Sequence, residues 1–528
     1  MKTRPLLAFG VVAGLTAAVL SAPAQAASLR FASDGDAVSM DPYSRNETFQ
    51  LSFLQNIYDP LVRRDRDLKL EPALATSWEQ QSPLVWRFHL REGVKFQGGE
   101  PFSADDVVFS YQRATGATSN ITSFFTTVKA VRKIDDHTVD FELKQPDLAF
   151  IQGITGWVIM SRAWCEAHGA TQAIDLTSKV ENFAARNTDG TGPYVLESRE
   201  QDRRTTLAAN PGWWDHPSGN VIHVQFDVIA NPATRVAALI SGDTDMLYAV
   251  PPQDVPRLEH IDALQVIEGP ELRTLYLGFD QSRDELLKSD VKGKNPFKDR
   301  RVRQAFYQAI DIAAIHDRVM LGQSHPTGLI YGPGINGYTA ASDVRYPYDP
   351  AAAKKLLADA GYPDGFGVTL DCTNDRYVND GAICQAVTGM LARVGVRVTL
   401  NAESKARFFA EVSPPKYDTS FFMLGYTPAS YDALNPLSYL LGTRGAARGE
   451  FNVGGFSDPA FDALLGRIAT DATDAQRTAD IVAASKIAQD DVAVIPLHQQ
   501  VVVWAARKGI TLRQLPDDTF PWRFVTVQ

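Results

Sequence analysis

The sequence predicts an α/β protein of two lobes with a central cleft between them, and three observations lead there. A chain of 528 residues exceeds the roughly 100 to 200 residues of a single domain, so two or three units with their own cores are expected. Residues 84 to 90, 138 to 143 and 223 to 229 alternate apolar and polar side chains, the pattern of half-buried strands. Beyond about residue 270 such strands begin to alternate with helices, which marks a separate α/β lobe.

Composition narrows the class further. Charged residues make up 22% and hydrophobic ones 45%, which is ordinary for a folded soluble protein and excludes a disordered polar chain or a multi-span membrane protein. The 52 Lys and Arg against 62 Asp and Glu leave a charge of -10, so no broad basic surface for nucleic acid or anionic lipid is expected.

Taken in order, the elements begin with a leader. Lys2 and Arg4 precede an apolar run from Leu6 to Leu20 and a small-residue close, Ser21-Ala-Pro-Ala-Gln-Ala26. This reads as a cleavable secretory signal over 1–26, since the run falls short of the roughly 20 apolar residues that span a bilayer. Removing 26 residues and two positive charges from 528 and -10 leaves a mature chain of 502 residues at -12, starting at Ala27, with no Cys nearby to carry a lipid. Ser103 and Asp106 then form a capping box opening a helix through Val107, Val108 and Tyr111. A strand over 272–279 precedes a helix from about Asp299, in which Val302, Ala305, Phe306, Ala309 and Ile310 share one face. Asp349-Pro350 opens and Gly361 closes the next helix. Strands near 367–372, 395–401 and 417–424 alternate with helices near 379–393 and 403–411; helices over 458–470 and 474–490 follow, then a strand near 492–504.

Of the three cysteines, Cys372 and Cys384 would close a short loop across a strand end and a helix start, leaving Cys165 as a buried free thiol. Metal binding is the alternative, and the spacing matches no zinc pattern. Gly332-Pro-Gly334-Ile-Asn-Gly337 matches a dinucleotide fingerprint only as a string, because Pro333 interrupts it and no helix follows. No phosphate-cradling loop, metalloprotease motif or nucleophile elbow occurs, and histidines such as His89 and His498 are scattered singly. No catalytic residue and no cofactor is therefore predicted.

Several stretches converge on one family. Met40-Asp-Pro42, Asn56-Ile-Tyr-Asp-Pro-Leu-Val62, Glu71-Pro-Ala-Leu-Ala-Thr-Ser-Trp78, Phe88-His-Leu-Arg-Glu-Gly-Val-Lys-Phe96 and Pro101-Phe-Ser-Ala-Asp-Asp-Val-Val-Phe109 are joined by Gly190-Thr-Gly-Pro-Tyr194, Asn210-Pro-Gly-Trp-Trp214, Val302-Arg-Gln-Ala-Phe-Tyr-Gln-Ala-Ile-Asp311, Leu391-Ala-Arg-Val-Gly-Val396 and Ile495-Pro-Leu497. In this order they resemble the family 5 solute-binding proteins, the dipeptide- and oligopeptide-binding components of bacterial ABC importers. The resemblance implies the two-lobed periplasmic binding protein fold of class II, in its large three-subdomain form, with a ligand held in the central cleft. On this chain it places a main sheet domain at 27–60, 187–272 and 497–528, an inserted subdomain at 61–186 and a second lobe at 273–496. It also implies a monomer in the periplasm that closes on a peptide or another small polar solute and delivers it to an inner-membrane permease. A secreted hydrolase of peptides or glycans is the alternative, and a chemoreceptor output reads the same closed state.

Candidate ligand residues follow from the same resemblance. Arg376, in the polar loop before the helix that ends at Val394-Gly-Val396, falls where peptide-binding relatives hold a peptide carboxylate, and a guanidinium suits that role because its donors reach both oxygens; a solvated Arg in a polar loop is the alternative. Where dipeptide-type relatives place an Asp for the amino terminus, this chain has Ala429, and Tyr426 replaces a Trp. Asp432, three residues on, is one candidate for a substitute acid, with a structural or capping role as its other reading; otherwise the ligand's amino end is blocked, absent or held elsewhere. Of four aromatics near cleft segments, Tyr43, Tyr426, Tyr431 and Trp504, the candidates for ligand packing are Tyr426 and Trp504.

Overall fold

The computed structural model describes residues 26–176, 181–428, 430–445, 448–471 and 473–528. The expected leader up to residue 25, and Ala429, lie outside the described residues.

Among the described residues, eleven strands form one sheet that runs through both halves of the molecule. From one edge the order is Arg397–Glu403, Gly367–Thr373, Phe421–Tyr426, Leu264–Phe279, Val494–Arg507, Met246–Leu247, Ala27–Ser33, Val221–Val228, Arg204–Ala209 and Tyr194–Glu200, with Ser324–Pro326 paired beside Val494–Arg507. Two long strands, Leu264–Phe279 and Val494–Arg507, carry the sheet from one lobe to the other. The second is buried along nearly its whole length, which requires the unbroken apolar run Val501-Val-Val-Trp504 rather than simple alternation. A separate four-stranded sheet, Ala75–Ser82, Val85–Leu90, Thr138–Leu143 and Val128–Asp135, packs with the first lobe.

The cores divide accordingly. One apolar cluster joins residues of 29–226 with Val502, Trp504, Phe520, Trp522 and Val525. Two others draw only on 272–497, one around Phe279, Phe297, Phe306 and Phe421, the other around Phe461, Leu465 and Ile481. The chain thus enters the first lobe, leaves it through one crossing strand, and returns through the other. Both ends of the described chain lie in the first lobe: the Ala27 amide donates to the Asn220 carbonyl, and the Asn220 side chain bonds both the amide and the carbonyl of Val527.

Helix punctuation follows the local chemistry. Ser103 Oγ accepts from the Asp105 amide while Asp106 accepts from the Ser103 amide, closing the capping box of Ala104–Ala114. Asp299 caps Arg300–Ala309, whose Val302, Ala305, Phe306 and Ala309 enter the core. Asp349 accepts from the amides of Ala351 and Ala352 at the start of Pro350–Asp359, and Gly361 beyond it takes φ +92°. The first crossing strand begins at Leu264, not 272. Gly269-Pro270 disguised its first half, because a Pro normally argues against a central strand; here the ladder breaks register between Pro270 and Thr274, and the Pro sits at that irregularity.

Candidate ligand-binding cleft

The break in the ladder is what builds the site. From Leu264↔Arg507 to Pro270↔Val501 and again from Thr274↔Gln499 to Gly278↔Val494 the crossing strands are paired, but 271–273 have no partners there. The Leu272 amide turns instead to the Pro516 carbonyl at 2.7 Å. Side chains two apart share a strand face, so Glu271 and Arg273 emerge together. Both are buried, and Arg273 Nη1 stands 2.9 Å from Glu271 Oε1. Glu271 Oε2 accepts from Gln500 Nε2 at 2.6 Å, and Gln500 Oε1 accepts from the Val378 amide at 3.1 Å. Burial raises the Glu271 carboxyl above its ordinary value, while Arg273, the Gln500 bond and Arg376 pull it down.

The Gln500 bridge brings the loop of Arg376 beside Glu271, and the Arg376 charge helps to lower the Glu271 carboxyl. Arg376 is half-buried, with its guanidinium 5.4 Å from the Tyr377 ring. Its loop is fixed by Asp380, whose Oδ2 accepts from the amides of Arg376 and Tyr377 and from the Thr373 hydroxyl. The sulfurs of Cys372 and Cys384 are bonded at 1.98 Å, joining the strand before this loop to the helix after it. Closing a loop of that length restricts the unfolded chain by about 3 kcal/mol. Cys165 lies free and buried in the first lobe.

The opposite wall comes from the first lobe. The Tyr248 hydroxyl donates to Asp518 Oδ2, and the Tyr248 ring meets Trp504 edge-on at 6.1 Å. Trp504 is buried, and its Nε1 has no hydrogen-bond partner. Tyr431 reaches across from the second lobe: its hydroxyl donates to Asp517 Oδ2, and the Arg64 guanidinium lies 3.5 Å from its ring centre. Ala249, Asn379, Tyr431 and Asp518, all bordering this region, have φ between +55° and +64°, a backbone conformation that costs free energy and concentrates at binding sites.

The other expected residues are placed differently. Asp432 is committed elsewhere, which corrects its assignment to a ligand amine. Its oxygens accept from Arg477 Nη2 at 2.6 Å, Arg477 Nε at 3.1 Å, Asn336 Nδ2 at 2.9 Å and the Leu434 amide at 2.9 Å, so it ties the second lobe together. Tyr426 stacks on Tyr439 at 5.5 Å and donates to Asn435 Oδ1 at 2.8 Å, against the second-lobe core. Tyr43 is sealed in the first lobe with its hydroxyl on the Val158 carbonyl. Glu271, Arg273, Tyr248, Gln500 and Asp518 escaped the sequence reading. The available signal was two charged residues spaced by two inside the apolar run 271–279, and the Asp517-Asp518 pair ahead of a buried aromatic segment.

A concavity of about 410 Å³ lies along the edge strand Tyr194–Glu200, lined by Trp164, His168, Phe183, Arg186 and Leu196. It contains none of these charged groups and belongs to one lobe only. Among the described residues no group of three or more His, Cys, Asp or Glu could hold a metal ion, and no helix is long and apolar enough to cross a membrane.

Two lobes joined by crossing strands, with buried charged side chains converging between them, define a solute-binding architecture. The profile of the bacterial extracellular solute-binding proteins, family 5 Middle, matches residues 69–448, and the chain belongs to that family. It is 26% identical over 533 residues to the glutathione-binding protein GsiB of Shigella dysenteriae, covering 99% of this chain and 98% of that one. In structure it is similar to the oligopeptide-binding protein AppA from Bacillus subtilis in complex with a nonapeptide, with a TM-score of 0.80 at 20% identity over 96% of this chain and 100% of that one. DppA from Helicobacter pylori in complex with the peptide STSA gives 0.78 at 24% identity, over 95% and 98%.

Proposed function

We propose that this protein is the periplasmic, monomeric binding component of an ABC importer, and that it captures a short peptide or peptide-like solute between its lobes for delivery to the permease. The observation that carries this reading is the buried pair Glu271 and Arg273 at the break between the crossing strands, tied through Gln500 to the loop that carries Arg376. A peptide brings charged ends that are costly to bury unless paired, and groups of both signs are waiting there. We take the lobes as 27–60, 187–272 and 497–528 with 61–186 inserted, against 273–496. Arg376 receives the solute carboxylate, and Trp504 packs against its body. A solute touching both walls binds the closed arrangement better and shifts the population towards it. The solute leaves chemically unchanged, and no observation favours the hydrolase alternative.

The test is calorimetry and thermal melting of the secreted protein against glutathione and unmodified peptides of two to five residues, with product analysis alongside. At least one probe raises the melting temperature and is recovered intact. Arg376→Ala weakens its binding by about thirtyfold or more, the result of stranding one member of a buried charge pair. Absence of binding across the panel, or conversion of a probe, overturns the reading; unchanged affinity in Arg376→Ala removes that residue from it.

A further inference from the structure

Adjacent aspartates at the wall of the cleft have opposite surroundings. Asp517 is saturated: Oδ2 accepts from the Tyr431 hydroxyl, and Oδ1 accepts from the amide and hydroxyl of Thr519 at 3.1 and 2.8 Å. Asp518 is only 4% exposed, yet its Oδ1 has no hydrogen-bond partner and its Oδ2 has only the Tyr248 hydroxyl. The groups facing it are Glu271 and Arg273 from the first crossing strand, Tyr248 from the first lobe and Asp517 beside it. Arg273 stands within ion-pair distance of Glu271, and the Arg376 charge also acts on Glu271. Among the described residues no cation stands within that distance of Asp518 itself. Burial first, and then the charge of Glu271, push the Asp518 carboxyl well above its ordinary range, against the pull of Arg273 and the Tyr248 bond. Close by, the unpartnered Trp504 Nε1 and the paired rings of Trp504 and Tyr248 complete the wall.

We propose that Asp518 is the subsite for a primary ammonium group of the solute, and that it releases its proton to solvent as that group arrives. The inference rests on the reading of the cleft as a site for peptide-like solutes. In the exchange the O–H bond of the carboxyl breaks, the proton goes to solvent, and the ammonium keeps its three hydrogens. One positive charge enters and one leaves, so the buried charge balance is preserved. The aromatic rings beside the carboxylate favour a cation further.

The experiment is titration calorimetry of the wild-type protein with glutathione and alanyl-phenylalanine, each free and N-acetylated, in phosphate and in Tris at one neutral pH. A free-amine probe that binds gives heats that differ between the buffers, as proton release demands, and its acetylated form binds at least about thirtyfold more weakly with no buffer dependence. Asp518→Asn, its fold checked by melting, loses the discrimination between the two forms. Equal heats in both buffers, tolerance of acetylation, or discrimination retained in Asp518→Asn each overturn the inference while leaving the cleft reading intact. No binding of any probe by the wild type brings down the cleft reading, and this inference with it. The wild-type measurement stands even if the variant fails to fold.

Discussion

The two lobes both contain buried aspartates, and they use them in opposite ways. On the second lobe, Asp432 accepts four hydrogen bonds, two of them from Arg477. On the first, Asp518 accepts one. Burial alone does not distinguish frame from site; the degree to which polar atoms are already satisfied does. The comparison breaks most visibly under substitution. Asp432→Ala strands the Arg477 guanidinium and lowers stability by about 3 to 5 kcal/mol, measured by urea or thermal melts. Asp518→Asn goes the other way. A carboxyl whose folded pKa lies above its unfolded value of about 3.9 costs stability increasingly as pH rises past that value. An amide does not titrate, so the variant melts higher than wild type at pH 7 and equal to it near pH 3. Equal losses in both variants would erase the distinction.

A smaller effect is expected where the walls meet. Tyr431 belongs to the second lobe but bonds Asp517 and lies under Arg64 of the first. Tyr431→Phe keeps the ring and removes one hydrogen bond to a charged group, worth about 1.5 to 3 kcal/mol. Solute affinity should fall by at least about tenfold, with the ligand-free melting temperature little changed. Unaltered affinity would mean that this contact does not change with closure.

The smallest effect sharpens the comparison from a third position. His498 is fully buried with both ring nitrogens unpartnered, and the groups that act on it are Arg345, His316 and His325. Burial first, and then Arg345, pull its pKa down to about 3, so it stays neutral in the fold. Because the folded value lies below the unfolded one of about 6.5, stability is complete above pH 6.5 and declines as pH falls towards 3. The slope is about 1.4 kcal/mol per pH unit, the loss expected at pH 5.5. His498→Gln should flatten that acid slope in melts between pH 7 and 4; an unchanged slope would assign acid sensitivity to other groups.

The α/β character, the second-lobe helices and the Asp349 and Ser103 caps were legible because each rests on neighbouring residues: periodicity, a cap and a terminating Gly. Arg376 was singled out only through the resemblance, since a polar loop has no period of its own. The first half of Leu264–Phe279 was hidden by Gly269-Pro270, whose local preference opposes a central strand and is overridden by pairing with Val501 to Arg507. Asp432 misled because its partner, Arg477, lies 45 residues away. Asp518 was invisible for the same reason: what matters about it is the single hydroxyl that bonds it and the charges that do not, and those come from residues 248, 271 and 273.

Asn220 bonds the backbone of both Ala27 and Val527, so the two ends ride on the same rigid body. Fluorophores fused to the termini would keep a fixed separation whatever the lobes do and report nothing of the clamp. An optical sensor built on this scaffold needs its second dye grafted into the distal lobe, whereas a purification handle at either end leaves the hinge untouched.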